Sequence, residues 1–280
     1  MSPLLRVLLG VLALGVTGLG TEQAPALRSP VELALTPYVR SLRTIAVSAG
    51  GETGAFLLDT GGGLTVLTPQ AARGVGCAPF GRVTGFRSSG ERIDFPRCGP
   101  VTLRLGAHSV RTESAILDLA PLLGDAPAVA GIVSLDTLRG AAFTLDLSAN
   151  RLILETPTSL ARRVKSLPEL SIRTSRQAGG AALDLFLEAR ANPGSIWLEL
   201  DSGNAGPVLL SPHAITQLGL VLSPDQPQSV ILDMPGLGTL PLGAVVKDLI
   251  YDGLLNVAFL ESIILTVDLS SERAWAVRRK

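Results

Sequence analysis

Two stretches of this chain repeat one another in order, and that repeat constrains the fold more than any other feature. Ile45 to Gly61 reads as an apolar strand, a glycine turn at Gly50-Gly51, a second apolar strand and then Asp59-Thr60-Gly61. Leu185 to Gly203 follows the same plan, with Asn192-Pro193-Gly194 as the turn and Asp201-Ser202-Gly203 at the end. Leu67-Thr68-Pro69 and Leu210-Ser211-Pro212 come next, each a hydroxyl residue before proline, the pattern that opens a helix. Thr102–Gly106 matches Thr239–Gly243, and the run from Gly131 to Thr144-Leu-Asp-Leu-Ser matches that from Gly253 to Thr266-Val-Asp-Leu-Ser. Five landmarks in one order imply two homologous lobes.

Apolar residues alternate with period two, Gly and Pro are frequent, and long stretches of helical period are few. Such patterning predicts mainly β lobes. The lobes are expected over residues 31–155 and 181–280. Residues 156–180, polar and carrying Arg162, Arg163 and Lys165, are expected to link them, with the basic cluster as a solvated face.

The repeat places an aspartate at the end of an apolar strand twice. One Asp-Ser/Thr-Gly triplet arises by chance in roughly one chain in ten of this length, but two at equivalent places in a repeat are specific. Two carboxyls brought together cannot both ionise, so they share a proton. The ionised member then accepts a proton from water while the protonated one polarises a carbonyl. On this reading Asp59 and Asp201 are the catalytic pair. Thr60 and Ser202 fix the lobe geometry, and Gly61 and Gly203 bring backbone amides towards the carboxyls.

These segments resemble the catalytic loops of the pepsin and retropepsin superfamily of aspartic peptidases, including its bacterial retropepsin-like members. Phe56-Leu-Leu-Asp59-Thr-Gly61 and Trp197-Leu-Glu-Leu-Asp201-Ser-Gly203 match those loops. Val129-Ala-Gly131-Ile-Val and Tyr251-Asp-Gly253-Leu-Leu match the apolar-glycine segments packed behind them. The resemblance implies an all-β, bilobal acid-protease fold with the active site between two barrel-like lobes. It also implies hydrolysis of peptide or protein substrates without a cofactor. Departures accompany it. Gly62 and Asn204 stand where pepsins carry Ser, Thr or Ala, Asp252 interrupts an apolar pair, and no tyrosine occupies the flap. These departures support the alternative, a catalytically inactive bilobal protein that binds peptides or proteins.

The flap is expected over Gly81 to Phe95, with a turn at Ser88-Ser89-Gly90 and with Phe86, Ser88 and Gly90 over the substrate. Cys77 and Cys98, the only cysteines, bracket this hairpin. In an exported chain they form one disulfide at its base; in a reducing compartment they are free thiols. Residues 1–20, with Arg6 before an uncharged run from Val7 to Leu19, read as a signal peptide, with an uncleaved anchor as the alternative. Export to the periplasm or outside the cell is the expectation, as a monomer, since both halves of the site lie in one chain.

Other chemistries find little support. Twenty-four basic residues balance twenty-four acidic ones, with no basic run suited to a phosphate backbone. The only histidines, His108 and His213, lie in different halves without ligand-like neighbours, so no metal site is expected.

Overall fold

A computed structural model describes residues 27–224 and 226–279; the proposed signal peptide at 1–20 lies outside them. The expected mainly β, two-lobed architecture is present. In the first lobe six strands close on themselves in the order Arg43–Ala49, Glu52–Leu58, Gly131–Val133, Val66–Leu67, His108–Ile116 and Arg92–Leu105, which pairs back to the first strand through Ser48 and Ala49. In the second lobe a seven-stranded sheet runs Ile172–Ser175, Asp184–Arg190, Ser195–Leu200, Gly253–Leu255, Val208–Leu210, Gly238–Val246 and Gln228–Met234.

The repeat is visible as shared topology. Glu52–Leu58 pairs in parallel with Gly131–Val133, which pairs antiparallel with Val66–Leu67. Ser195–Leu200, Gly253–Leu255 and Val208–Leu210 make the same two pairings. The glycine that opens each middle strand is required by close approach. A Cβ on Gly131 would overlap the Val66 carbonyl and the Phe56 ring, and one on Gly253 would overlap the Leu209 carbonyl. The helix starts also match: Thr68 Oγ1 accepts from the Ala71 amide at 3.2 Å, and Ser211 Oγ from the Ala214 amide at 3.1 Å.

One landmark of the repeat is corrected. Thr102–Gly106 leads into a hairpin turn closed by Leu105 opposite His108, whereas Thr239–Gly243 follows the turn closed by Met234 opposite Gly238. The true partners are His108–Ile116 and Gly238–Val246, each parallel to the short strand before its helix. Both sides of each hairpin alternate Leu or Val with polar residues, so composition alone confuses them.

Between the lobes, six strands form a shared sheet in the order Glu169–Leu170, Arg273–Arg278, Ile263–Asp268, Ala142–Asp146, Arg151–Glu155 and Val31–Pro37. Thr144 lies opposite Thr266 at its centre, and their hydroxyls are 2.9 Å apart. The lobes' pseudo-twofold axis therefore passes through this pair. Arg43, 9% exposed, adds a clasp from the first lobe to Glu261 of the second at 2.7 Å. The segment 156–180 is more ordered than a simple link. It begins with a helix, Pro157–Val164, capped by Thr156 and Ser159, and then supplies Glu169–Leu170 to the shared sheet and Ile172–Ser175 to the second lobe. Within its basic cluster, Arg163 is not merely solvated: it pairs with the buried Glu155. Among the described residues no helix is long and apolar enough to cross a membrane.

Candidate active site

Both repeated aspartates, Asp59 and Asp201, stand where an apolar strand leaves its lobe's core. Phe56 and Leu58 anchor the first strand, and Ile196, Leu198 and Leu200 the second, all at most 2% exposed. The chain then turns, and each aspartate receives the amide two residues on: Gly61 N donates to Asp59 Oδ1 at 3.1 Å and Gly203 N to Asp201 Oδ1 at 2.8 Å. The two carboxyls hydrogen-bond to one another across the lobe interface. Burial pushes the Asp59 carboxyl above its usual range. Burial, and then the Asp59 charge, push Asp201 well above it.

Thr60 and Ser202 hold this approach in place by four reciprocal bonds. The Thr60 amide donates to Ser202 Oγ at 3.0 Å and the Ser202 amide to Thr60 Oγ1 at 2.9 Å. The Thr60 hydroxyl donates to the Leu200 carbonyl at 2.6 Å, and the Ser202 hydroxyl to the Leu58 carbonyl at 2.9 Å. Each hydroxyl thus donates once and accepts once in a buried interface, where misplacement would leave polar groups unpaired.

The structure accounts for three departures from the pepsin pattern. A Cβ on Gly62 would sit 2.6 Å from Ser134 Oγ, so the Ser134 hydroxyl fills the space that a side chain at 62 would take. The Asn204 side chain turns away from Asp201: its Nδ2 donates to the Pro207 carbonyl at 3.0 Å and its Oδ1 accepts from the Gly206 amide at 2.9 Å. The Asp252 carboxylate accepts the Trp197 amide at 2.8 Å, satisfying a strand donor that an apolar residue would leave open.

The hairpin expected as the flap pairs Phe80–Phe86 with the first part of Arg92–Leu105 and turns at Arg87 to Glu91. Its base is tied by a Cys77–Cys98 disulfide, with Cα atoms 5.8 Å apart. At its tip the Ser88 carbonyl accepts the Ile250 amide at 2.9 Å, and Gly90 packs on Ile250. The hairpin therefore spans from the first lobe to the second. Phe86 is 49% exposed on it. His213 is exposed and His108 is buried beside a turn.

Sequence reasoning missed the polar groups around the pair. Asp184 and Glu199 are each 2% exposed, and Tyr251 and Gln177 lie against them. The signal available was Glu199 itself, a lone charge within the apolar run from Ile196 to Leu200.

No protein-family model matches the chain, and no curated protein matches it. Solved structures do. An aspartic proteinase from Irpex lacteus superposes with a TM-score of 0.55 at 13% identity, over 90% of this chain and 98% of the other. Basic 7S globulin from soybean gives 0.56 at 12%, over 89% and 94%, and conglutin gamma, a basic 7S globulin from lupine seeds, 0.58 at 12%, over 90% and 95%. At such identities the likeness concerns the fold, which here serves proteins named both as a proteinase and as globulins. The chain has the bilobal fold of the pepsin-like aspartic proteinases.

Proposed function

We propose that this chain is an aspartic endopeptidase of retropepsin-like type that acts on peptides or proteins outside the cytoplasm. The observation that carries the reading is the hydrogen-bonded Asp59–Asp201 pair, held by the reciprocal Thr60 and Ser202 bonds. No structural need of the lobes calls for two facing carboxyls, whose proximity opposes ionisation.

In the proposed reaction Asp201 holds the shared proton and Asp59 is ionised. A water between them attacks the scissile carbonyl carbon and gives a proton to Asp59, while Asp201 gives its proton to the carbonyl oxygen. The resulting gem-diol collapses: one of its hydroxyls returns a proton to Asp201, the C–N bond breaks, and the departing amine takes the proton from Asp59. Phe86, Ser88 and Gly90 belong to the hairpin that closes over the substrate. The disulfide fits an oxidising compartment and so supports export. A second reading, an inactive peptide-binding protein, is favoured by the basic 7S globulins that share the fold.

The test is cleavage of a mixed peptide pool from pH 3 to 7, read by mass spectrometry, with Asp59→Asn and Asp201→Asn beside the wild type. Each variant is expected to lose at least about a thousandfold in rate while keeping its fold, and the double variant is expected to lose no more, because the two act as one unit. A wild type that binds a statine-type peptide yet cleaves nothing establishes the binder instead.

A further inference from the structure

Beside the aspartate pair lies an acidic patch that the proposed reaction does not use. Glu199 is two residues before Asp201 on the strand Ser195–Leu200, so both side chains leave the same face. That face is turned away from the lobe's core, which takes Ile196, Leu198 and Leu200. Glu199 sits opposite Phe186 on the neighbouring strand, and Asp184, two residues from Phe186, joins the same face. The Asp184 carboxyl reaches the first lobe: a Cβ on Gly63 would stand 2.8 Å from its Oδ1.

Neither carboxyl of this cluster has a cation as partner among the described residues. Glu199 is 2% exposed, yet its carboxyl makes no hydrogen bond or ion pair with a described residue. Asp184 accepts Gln177 Nε2 at 3.0 Å, and the same amide bonds to the Tyr251 hydroxyl. Gln177 is neutral, so it satisfies geometry without offsetting negative charge. Buried carboxylates in a native protein ordinarily face a cation or give up their charge. Burial raises both carboxyls, and for Glu199 the neighbouring Asp184, Asp201 and Asp59 add to the effect. With no cation beside them both carboxyls hold their protons to higher pH, and a positive group seated between them would let them ionise. The Tyr251 and Phe186 rings, in edge contact at 5.2 Å, supply an apolar wall for the stem of such a group. Tyr251 also adjoins Ile250, where the hairpin tip lands.

We propose that Glu199, Asp184 and Tyr251 form a pocket that selects a lysine or arginine side chain in the substrate residue flanking the scissile bond. The inference rests on the peptidase reading for its place beside the cleaved bond, and the cleavage map assigns the side. The incoming ammonium or guanidinium displaces the Gln177 amide and bonds to the two carboxyls.

Peptides identical except for lysine, arginine, glutamine or norleucine at the residues flanking one bond test it. Wild-type kcat/KM is expected to favour the basic peptides by at least about tenfold, the scale of a charge-assisted hydrogen bond. Glu199→Gln keeps the side-chain shape and is expected to bring the lysine-to-norleucine ratio near one, whatever its absolute rate. Calorimetric binding of uncleavable statine peptides bearing lysine or norleucine supplies a readout independent of catalysis. Lysine-dependent binding without cleavage sinks the peptidase reading and leaves the pocket standing. A wild type that treats lysine and norleucine alike in both measurements, or a ratio that Glu199→Gln leaves unchanged, overturns the pocket.

Discussion

Gly203 lies directly against the carboxyl of Asp59: a Cβ on it would stand 2.6 Å from Asp59 Cγ. Gly61 stands in the same relation to Asp201, at 2.7 Å. Each lobe's glycine is therefore required by the other lobe's aspartate, in addition to the amide that it gives its own. Gly203→Ala is expected to push the lobes or the carboxyls apart. With the pair misaligned by a fraction of an ångström or more, peptide cleavage should fall by about a hundredfold. Circular dichroism should still report a folded protein. Full activity in Gly203→Ala would mean that the close approach is not needed.

Stability should decline as pH rises from acid towards neutral. Burial pushes Asp136 and Asp184 up to about 6 from an ordinary 3.8, and Asp59, Asp201 and Glu199 are raised as well. A carboxyl raised in the folded state favours folding below its unfolded value and loses that contribution as pH climbs through the folded value. For Asp136 and Asp184 the window runs from about pH 4 to about pH 6, with a change on the order of 2–3 kcal/mol each. Asp94, held below its usual range by Thr84, and Glu169, held there by Arg273, act in the opposite sense only at more acid pH. Thermal melts across this range should show Tm falling, and Asp184→Asn should flatten the slope. A Tm that rises from pH 4 to 7 would contradict the assignment.

Reduction of Cys77–Cys98 should loosen the hairpin more than the lobes. The bond joins residues 21 apart, and closing a loop of that length contributes about 3 kcal/mol in the chain-entropy model. Cys98 is one member of a large core that also includes Ile45, Leu67 and Leu103, most of whose packing lies away from the bond. Hydrogen exchange on the Cys77→Ala, Cys98→Ala protein should therefore quicken chiefly over residues 80–97. Uniform quickening across residues 43–146 would show that the bond supports the whole lobe.

The sequence by itself determined the doubling of the fold, the two aspartates and the disulfide partners. These rest on local requirements that leave a local trace. A glycine where strands crowd, a hydroxyl before proline at a helix start and an aspartate closing an apolar strand are each readable in a few residues. Tertiary structure alone decided what depends on distance in sequence but nearness in space. Thr102–Gly106 and Thr239–Gly243 look alike, and only strand pairing shows that they lie on opposite arms of their hairpins. Ser134 accounts for Gly62 from far along the chain. Asp184 and Glu199 are ordinary charges on two separate strands until register sets their strands side by side and the first lobe covers them. Their lack of a cationic partner matters only because of that burial, since a carboxylate is stable in water anywhere along a chain but must find a partner or take up a proton once water is removed.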